Sequence, residues 1–374
     1  MDGMNRRQFL KTTGGFCALC AGGMCWSPLV FADDDNARYT IEARHWESLE
    51  NARVRCKLCP RECTVDDLEK GYCGVRENEG GKYWSRVYGR LCSRNIDPIE
   101  KKPLFHFLPG TSAFSIATVG CNVNCKFCQN WQISQVGPGQ VDEVYVPPDM
   151  VAESAARWQA PTIAYTYSEP VIFFEYMYDS AVEGHKRGIR SVMITNGYIQ
   201  EKPMKDLCAV LDAVKVDLKA FTETFYRDQV TGELKPVLDT LVRLKSWGMW
   251  TEIVYLMIPT LNDQPDDLRA MCRWIVQELG PDVPVHFTRY HPEYLLMNLP
   301  ITPLSTMETA YKIAKDAGIH FAYLGNVPPH DAESTYCPNC NARLIHRRGF
   351  TIQQNRIVRN SCPDCGTTIP GIWT

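Results

Sequence analysis

The placing of cysteine constrains this chain more than any other feature. Its 374 residues include 17 cysteines, and eleven fall into three close-spaced groups at 56–73, 121–128 and 337–365. Core thiols would be scattered, and a disulfide framework belongs to small secreted domains. Spacings such as C-x2-C read instead as metal ligation. The length allows one large α/β domain with small appendages and a full core. Hydrophobic residues at 45% and charged residues at 22% are ordinary for a globular protein. A formal net charge of −3 has the wrong sign for a dedicated nucleic-acid binder, so no nucleic-acid partner is expected.

Residues 1–32 read as a leader. Asn5-Arg6-Arg7-Gln8-Phe9-Leu10-Lys11 resembles the twin-arginine export signal, an address read by a receptor. An uncharged run from Thr12 to Ala32 follows, ending in Val30-Phe31-Ala32 as a small-residue cleavage site before Asp33-Asp34-Asp35. This predicts periplasmic export. The alternatives are an uncleaved anchor, or a disordered terminus on a cytoplasmic protein. Nothing else is long and apolar enough to span a bilayer, so no membrane span is expected in the mature chain.

Between about 113 and 330, short β-branched runs alternate with amphipathic stretches. Strands are expected at Ser115–Gly120, Thr162–Thr166, Ser191–Thr195, Ala213–Asp217, Thr251–Ile258 and Val285–Arg289, with His320–Leu324 as a candidate seventh. Helices are expected near 148–158, 171–187, 203–211, 223–247, 265–279 and 304–317, where apolar residues such as Val237, Leu241 and Leu244 recur at three- and four-residue spacing. Such alternation implies a parallel sheet with right-handed crossovers. Six or seven units are too few for a closed eight-fold barrel, so a partial, open barrel is expected. In barrels of this kind the chemistry gathers at the carboxyl ends of the strands. Cys121, Glu169, Asn196, Asp217, Lys219 and His291 all fall there.

Gly120-Cys121-Asn122-Val123-Asn124-Cys125-Lys126-Phe127-Cys128 gives C-x3-C-x2-C with an aromatic before the last cysteine. Three thiolates on one loop can hold three irons of a cubane, leaving the fourth iron without a protein ligand. The spacing and its place after a first strand resemble the signature of the radical S-adenosylmethionine (SAM) superfamily. That resemblance implies a partial (β/α)6-type radical SAM barrel with a 4Fe-4S cluster on Cys121, Cys125 and Cys128. It also implies SAM chelated to the open iron and cleaved by one electron from a low-potential donor. Further matches are weaker. Thr166-Tyr167-Ser168-Glu169-Pro170 sits where the superfamily has Gly-Gly-Glu, which would give Glu169 the SAM amino group although both glycines are absent. Thr195-Asn196-Gly197 resembles the polar third-strand ending that meets SAM. Asp217-Leu218-Lys219 resembles the Asp-x-Lys of the pyruvate formate-lyase activating enzyme branch, and Phe127 would lie beside the adenine. Each could equally be a capping or salt-bridging residue. Cytoplasmic supply of SAM and reductant stands against export.

The flanks sharpen the resemblance. Cys56-Lys57-Leu58-Cys59-Pro60-Arg61-Glu62-Cys63, Gly71-Tyr72-Cys73-Gly74-Val75-Arg76, Asp97-Pro98-Ile99-Glu100-Lys101-Lys102-Pro103-Leu104-Phe105-His106, Cys128-Gln129-Asn130-Trp131 and Gly325-Asn326-Val327 occur in one order. This ensemble looks like the AmmeMemoRadiSam-system radical SAM enzymes across roughly residues 45–374, which implies association with Memo-family and AMMECR-family proteins. Two further metal sites are expected. Cys337, Cys340, Cys362 and Cys365 form paired Cys-Pro-x-Cys knuckles, read as a zinc ribbon, with rubredoxin-like iron or disulfides as alternatives. Cys56, Cys59, Cys63 and Cys73 suit zinc or a second iron–sulfur cluster, with Cys92 as a candidate extra ligand. Cys208 and Cys272 lie in helical stretches and read as core. The chain thus divides into a leader at 1–32, a Cys-rich segment at 33–112, the barrel at 113–330 and a ribbon tail at 331–374.

Three functions fit this pattern. The first is a radical enzyme acting on a protein, as glycyl-radical activases do, or on a small molecule. The second is a non-catalytic metal-binding partner on a barrel scaffold. The third, a methyltransferase, would want a cobalamin module that is not evident. His286, Arg289, Tyr290 and His291, ending the sixth strand, are candidates for the substrate side, though either histidine could be a satisfied core residue.

Overall fold

The computed structural model describes residues 36–374. The leader, with Cys17, Cys20 and Cys25, lies outside the described residues. Among the described residues no helix is long and apolar enough to cross a membrane.

An eight-stranded sheet dominates the fold. Its strands are β1 (Ser93–Pro98), β2 (Ser112–Ala117), β3 (Thr162–Tyr165), β4 (Arg190–Thr195), β5 (Ala213–Asp217), β6 (Trp250–Met257), β7 (Val285–Arg289) and β8 (Ala322–Gly325). They lie side by side in chain order, and the two end strands do not pair with each other, so the barrel is open. From β2 to β8 every pairing is parallel, with Thr162 opposite Ala113 and Val285 opposite Ala322. Only β1 runs antiparallel, pairing Ser93 with Ala117.

The strands form where β-branched and apolar residues run without break; β3 and nearly all of β4 are buried, as a sheet covered on both faces requires. Each crossover is helical: α1 (Pro148–Arg157), α2 (Phe174–His185), α3 (Glu201–Cys208), α4 (Leu234–Ser246), α5 (Pro265–Trp274) and α6 (Leu304–Asp316). In α4 the buried residues Leu234, Val237, Leu241 and Leu244 form one stripe against the sheet. Cys272 is buried in α5 and Cys208 half-buried at the end of α3, as expected of core positions.

Two expectations shift. The first parallel strand ends at Ala117, not Gly120, because Gly120 turns away at φ +97° and gives its N–H to Ile133. The helix expected over 223–247 is broken. A π turn occupies Tyr226–Val230, Thr231 takes a left-handed conformation, and regular helix resumes at Leu234. The reason lies far away in sequence: the carbonyls of Gln229 and Val230 accept the N–H groups of Lys126 and Asn124.

Residues 99–111 plug the amino-terminal end of the barrel. Ile99, Leu104, Phe107 and Leu108 pack against Ala113, Ala164, Val192 and Ala213. Glu252 on β6 fastens the plug, accepting the N–H groups of Phe105 (2.9 Å) and His106 (2.8 Å) and pairing with His286 Nε2 at 2.7 Å. The last residues of the chain complete this floor, since Ile372 exchanges backbone hydrogen bonds with His106 and Leu108. The three-stranded ribbon (Thr335–Tyr336, Arg343–Arg348, Thr351–Asn355) is no loose tail. Its Cys337, Cys362 and Leu344 share a core with Phe105, Phe321 and Tyr323. At the other flank, the Cys-rich segment is tied to α2 by the fully buried pair Arg76–Glu175 and by Tyr88 donating to Asp179.

Glu252 therefore carries a definite weight. Glu252→Ala leaves three buried donors without an acceptor and is expected to cost about 3–5 kcal/mol. Thermal unfolding checks this, and Glu252→Gln, which keeps one carbonyl oxygen, should fall by less.

Candidate functional site

A cavity of about 520 Å³ opens at the carboxyl ends of the barrel strands, within the range of small-molecule sites. It is lined by Cys121, Cys125, Phe127 and Cys128 from the loop after β2, and by Glu169, Asn196, Asp217 and Lys219 from the ends of β3, β4 and β5. All eight residues expected around the cluster and SAM are therefore brought together. A larger, more open hollow of about 1010 Å³ near Arg44, His45 and Lys57 holds none of them.

The cysteine loop is held from several sides. Besides the bonds to Gln229 and Val230, Asn122 Nδ2 donates to Tyr198 O at 2.7 Å, and Arg61 Nε donates to Asn122 O at 2.6 Å. Burial pushes the Cys125 thiol up to about 12 and Cys121 well above its ordinary value. Such groups stay protonated unless a metal takes the proton's place. Their sulfurs and that of Cys128 are not all within 4.8 Å of one another, wider than one small ion needs.

Glu169 is the hub opposite the loop. It is 2% exposed; its Oε1 accepts from Thr195 Oγ1 (2.7 Å) and Val171 N (3.0 Å), and its Oε2 from Asn196 N (2.8 Å). Burial pushes its carboxyl up to about 7, despite those three donors. Asn196 then links hub and loop, donating to Asn122 Oδ1 at 2.8 Å with Cys121 Sγ at 3.9 Å. The backbone at Tyr167 is left-handed, at φ +66°, where the superfamily pattern has glycine.

Burial alone would raise the Asp217 carboxyl, but Lys215 and Lys219 outweigh it and hold it below its usual value. Lys215 pairs closely with Asp217, while Lys219 Nζ lies 3.6 Å from it and 5.8 Å from the Phe127 ring centre. The sequence reading missed Lys215. Its signal was there: in a strand, residues 215, 217 and 219 share one face. It also missed Lys102, a cavity residue paired with Asp97 at 2.6 Å and lying 4.3 Å from the ring centre of Tyr167.

Of the substrate-side candidates, only His286 lines the cavity, and its Nε2 is engaged by Glu252. Arg289 and Tyr290 are drawn aside by Thr302, whose carbonyl takes Arg289 Nε (2.6 Å) and whose hydroxyl takes Tyr290 N (3.1 Å), and His291 is exposed. Cys92 contacts Ala117 O along the sheet edge. In the ribbon, Cys337 and Cys365 sulfurs lie 3.5 Å apart and those of Cys340 and Cys362 3.7 Å, with all four within 4.8 Å. These are free thiols rather than disulfides, spaced to hold one ion.

Comparison with known proteins agrees with this geometry. The profile of the Radical SAM superfamily matches residues 115–275. The uncharacterized protein MJ0808 of Methanocaldococcus jannaschii is 43% identical over 330 residues, covering 88% of this chain and 98% of that protein. Among solved structures, a domain of pyruvate-formate lyase-activating enzyme from Bacteroides vulgatus aligns over 44% of this chain and 98% of its own, with 14% identity and a TM-score of 0.40. SuiB of Streptococcus suis bound to S-adenosylmethionine aligns over 61% of this chain and 53% of its own, with 10% identity and a TM-score of 0.46. The matched span begins within β2 and takes in the cysteine loop and the ends of β3 to β5, and so the chain carries a Radical SAM superfamily domain.

Proposed function

We propose that the protein binds a 4Fe-4S cluster through Cys121, Cys125 and Cys128, holds SAM beside it, and abstracts hydrogen from a substrate in the barrel mouth. One observation carries this reading: three thiols on one loop face a buried carboxylate, an amide and an Asp–Lys pair across a single cavity. The donor set fits the group. Three thiolates leave a cubane one corner short, and that corner would face polar residues rather than a fourth cysteine. When bound and reduced by one electron, the cluster supplies the reductive cleavage of SAM to methionine and a 5′-deoxyadenosyl radical.

The chain's own residues bind and orient. Glu169 takes the ammonium of SAM, a cation that favours the ionised carboxylate its burial resists. Asn196 keeps Glu169 and the cysteine loop in fixed relation. Asp217 and Lys219 address the methionyl and ribose groups, with Lys215 holding Asp217 ionised. Phe127 offers a face to the adenine. Its packing against Phe225, with ring centres 5.7 Å apart, restricts it to that place.

Within the superfamily, the ordered flanking motifs support an AmmeMemoRadiSam-system enzyme with Memo-family and AMMECR-family partners and a low-potential one-electron donor. The ribbon cysteines are read as holding zinc. A non-catalytic scaffold would leave the buried Glu169 and the half-buried Asp217 beside the thiols without a purpose.

Three outcomes are expected. Anaerobically reconstituted protein given SAM and dithionite forms 5′-deoxyadenosine, whereas the C121A/C125A/C128A variant forms none; cleavage retained in that variant would sink the reading. Glu169→Gln, which keeps the shape but loses the charge, should weaken SAM binding roughly 10- to 100-fold by equilibrium titration. C340S/C365S should lose one metal ion per chain, by elemental analysis, and unfold at lower temperature.

A further inference from the structure

Cys56, Cys59, Cys63 and Cys73 do not line the cavity, but the Cys73 carbonyl lies against the turn at Gly120 that opens the cysteine loop. Cys56 N donates to Cys63 O at 2.9 Å, and Cys56 and Cys59 are buried. Their spacing differs from that of the ribbon. A single zinc, with Zn–S near about 2.3 Å, draws four sulfurs to within roughly 4 Å of one another, which the ribbon satisfies. These four are not all within 4.8 Å, and in this they resemble the Cys121, Cys125 and Cys128 set. A cubane, which offers each thiolate its own iron, calls for the wider arrangement.

The second observation is Arg76. Its guanidinium is 1% exposed and spends Nη2 on Glu175, but Nε and Nη1 have no hydrogen-bond partner. Arg76 closes the turn that carries Cys73, its carbonyl accepting from Gly71 N at 2.9 Å. Buried donors are rarely left idle, and donors aimed at cluster sulfurs are a standard way to set a potential.

The third is proximity. A side chain at Gly120 would meet the Cys73 carbonyl at 2.8 Å and Val75 at 2.7 Å. Cys73 and Cys121, the residue after Gly120, thus have Cα atoms within roughly 11 Å of each other.

We propose that Cys56, Cys59, Cys63 and Cys73 bind a second iron–sulfur cluster, with Arg76 donating its free N–H groups to the sulfurs, and that this site relays electrons to the first. A low-potential one-electron donor of the flavodoxin or ferredoxin class reduces the outer cluster from the 2+ to the 1+ core. The electron then moves inward, the outer core returning to 2+ and the inner core falling to 1+, with no bond or proton changed. The relay rests on the function proposed above; the metal assignment does not.

The test uses the anaerobically reconstituted full chain. The C121A/C125A/C128A variant is expected to keep about four irons and about four acid-labile sulfides, with an electron paramagnetic resonance signal on dithionite reduction. Zinc without labile sulfide in that variant, its ribbon ion still bound, would overturn the assignment. C59S/C73S should lose that signal yet keep the inner cluster and 5′-deoxyadenosine formation with dithionite. Loss of the inner cluster from this variant would overturn the separation of the two sites, whereas a native protein without a cluster at Cys121, Cys125 and Cys128 would count against the function proposed above. Arg76→Met should retain iron and lower the outer cluster's midpoint potential, with Arg76→Lys partly restoring it; an unmoved potential would overturn the role of Arg76. In the doubly reduced native protein the two signals should broaden each other, and a spectrum equal to the sum of the single-site variants would overturn the relay.

Discussion

The cysteine loop depends on carbonyls that a helix gives up. Tyr226–Val230 and Thr231 leave regular helical geometry, and in exchange the oxygens of Gln229 and Val230 receive Lys126 and Asn124. Three thiols on one loop, buried or half-buried, need a backbone that cannot drift. Backbone hydrogen bonds from outside the loop hold it as a metal would, before any metal arrives. The break in the helix is therefore part of the site, although none of its residues has chemistry of its own.

Around that loop the buried charges are balanced in small groups. Asp217 has two lysines, Asp97 has Lys101 and Lys102, and Arg76 has Glu175. Glu169 is the exception: among the described residues no cation forms a salt bridge with it, and burial pushes its carboxyl up to about 7 against three hydrogen-bond donors and the charge of Lys219. An uncompensated carboxylate in a cavity is costly in the empty protein and favours a cationic guest. Stability forgone at this position becomes discrimination between ligands.

Much of this was legible in the residues. Parallel strands show as unbroken β-branched runs, and their ends were found to within about three residues because polar side chains reappear there. That Cys121, Cys125 and Cys128 share one loop beside a strand end was legible from their spacing and place. What was hidden is what long-range contacts decide. Nothing in Ser93–Pro98, with its arginine, asparagine and aspartate, announces an edge strand on the barrel sheet. The broken helix answers a demand from residues about a hundred positions earlier. Arg289 ends the strand that carries His286, and Tyr290 and His291 follow it, but Thr302 turns Arg289 and Tyr290 away, and no local pattern encodes that. Lys215 was overlooked although period-two alternation with Asp217 exposes it.

The floor of the barrel has a consequence for the order of events in the cell. Ile372 supplies hydrogen bonds to His106 and Leu108, and Trp373 lies against the His106 ring with centres 5.1 Å apart. These partners are more than two hundred and sixty residues apart in sequence. Synthesis runs from the amino terminus, so a ribosome still holding residues 369–373 in its exit tunnel carries a barrel whose sheet can pair but whose lower end is not yet sealed. Closure of the barrel floor thus waits until residues 369–373 have left the tunnel, long after the sheet above it can pair.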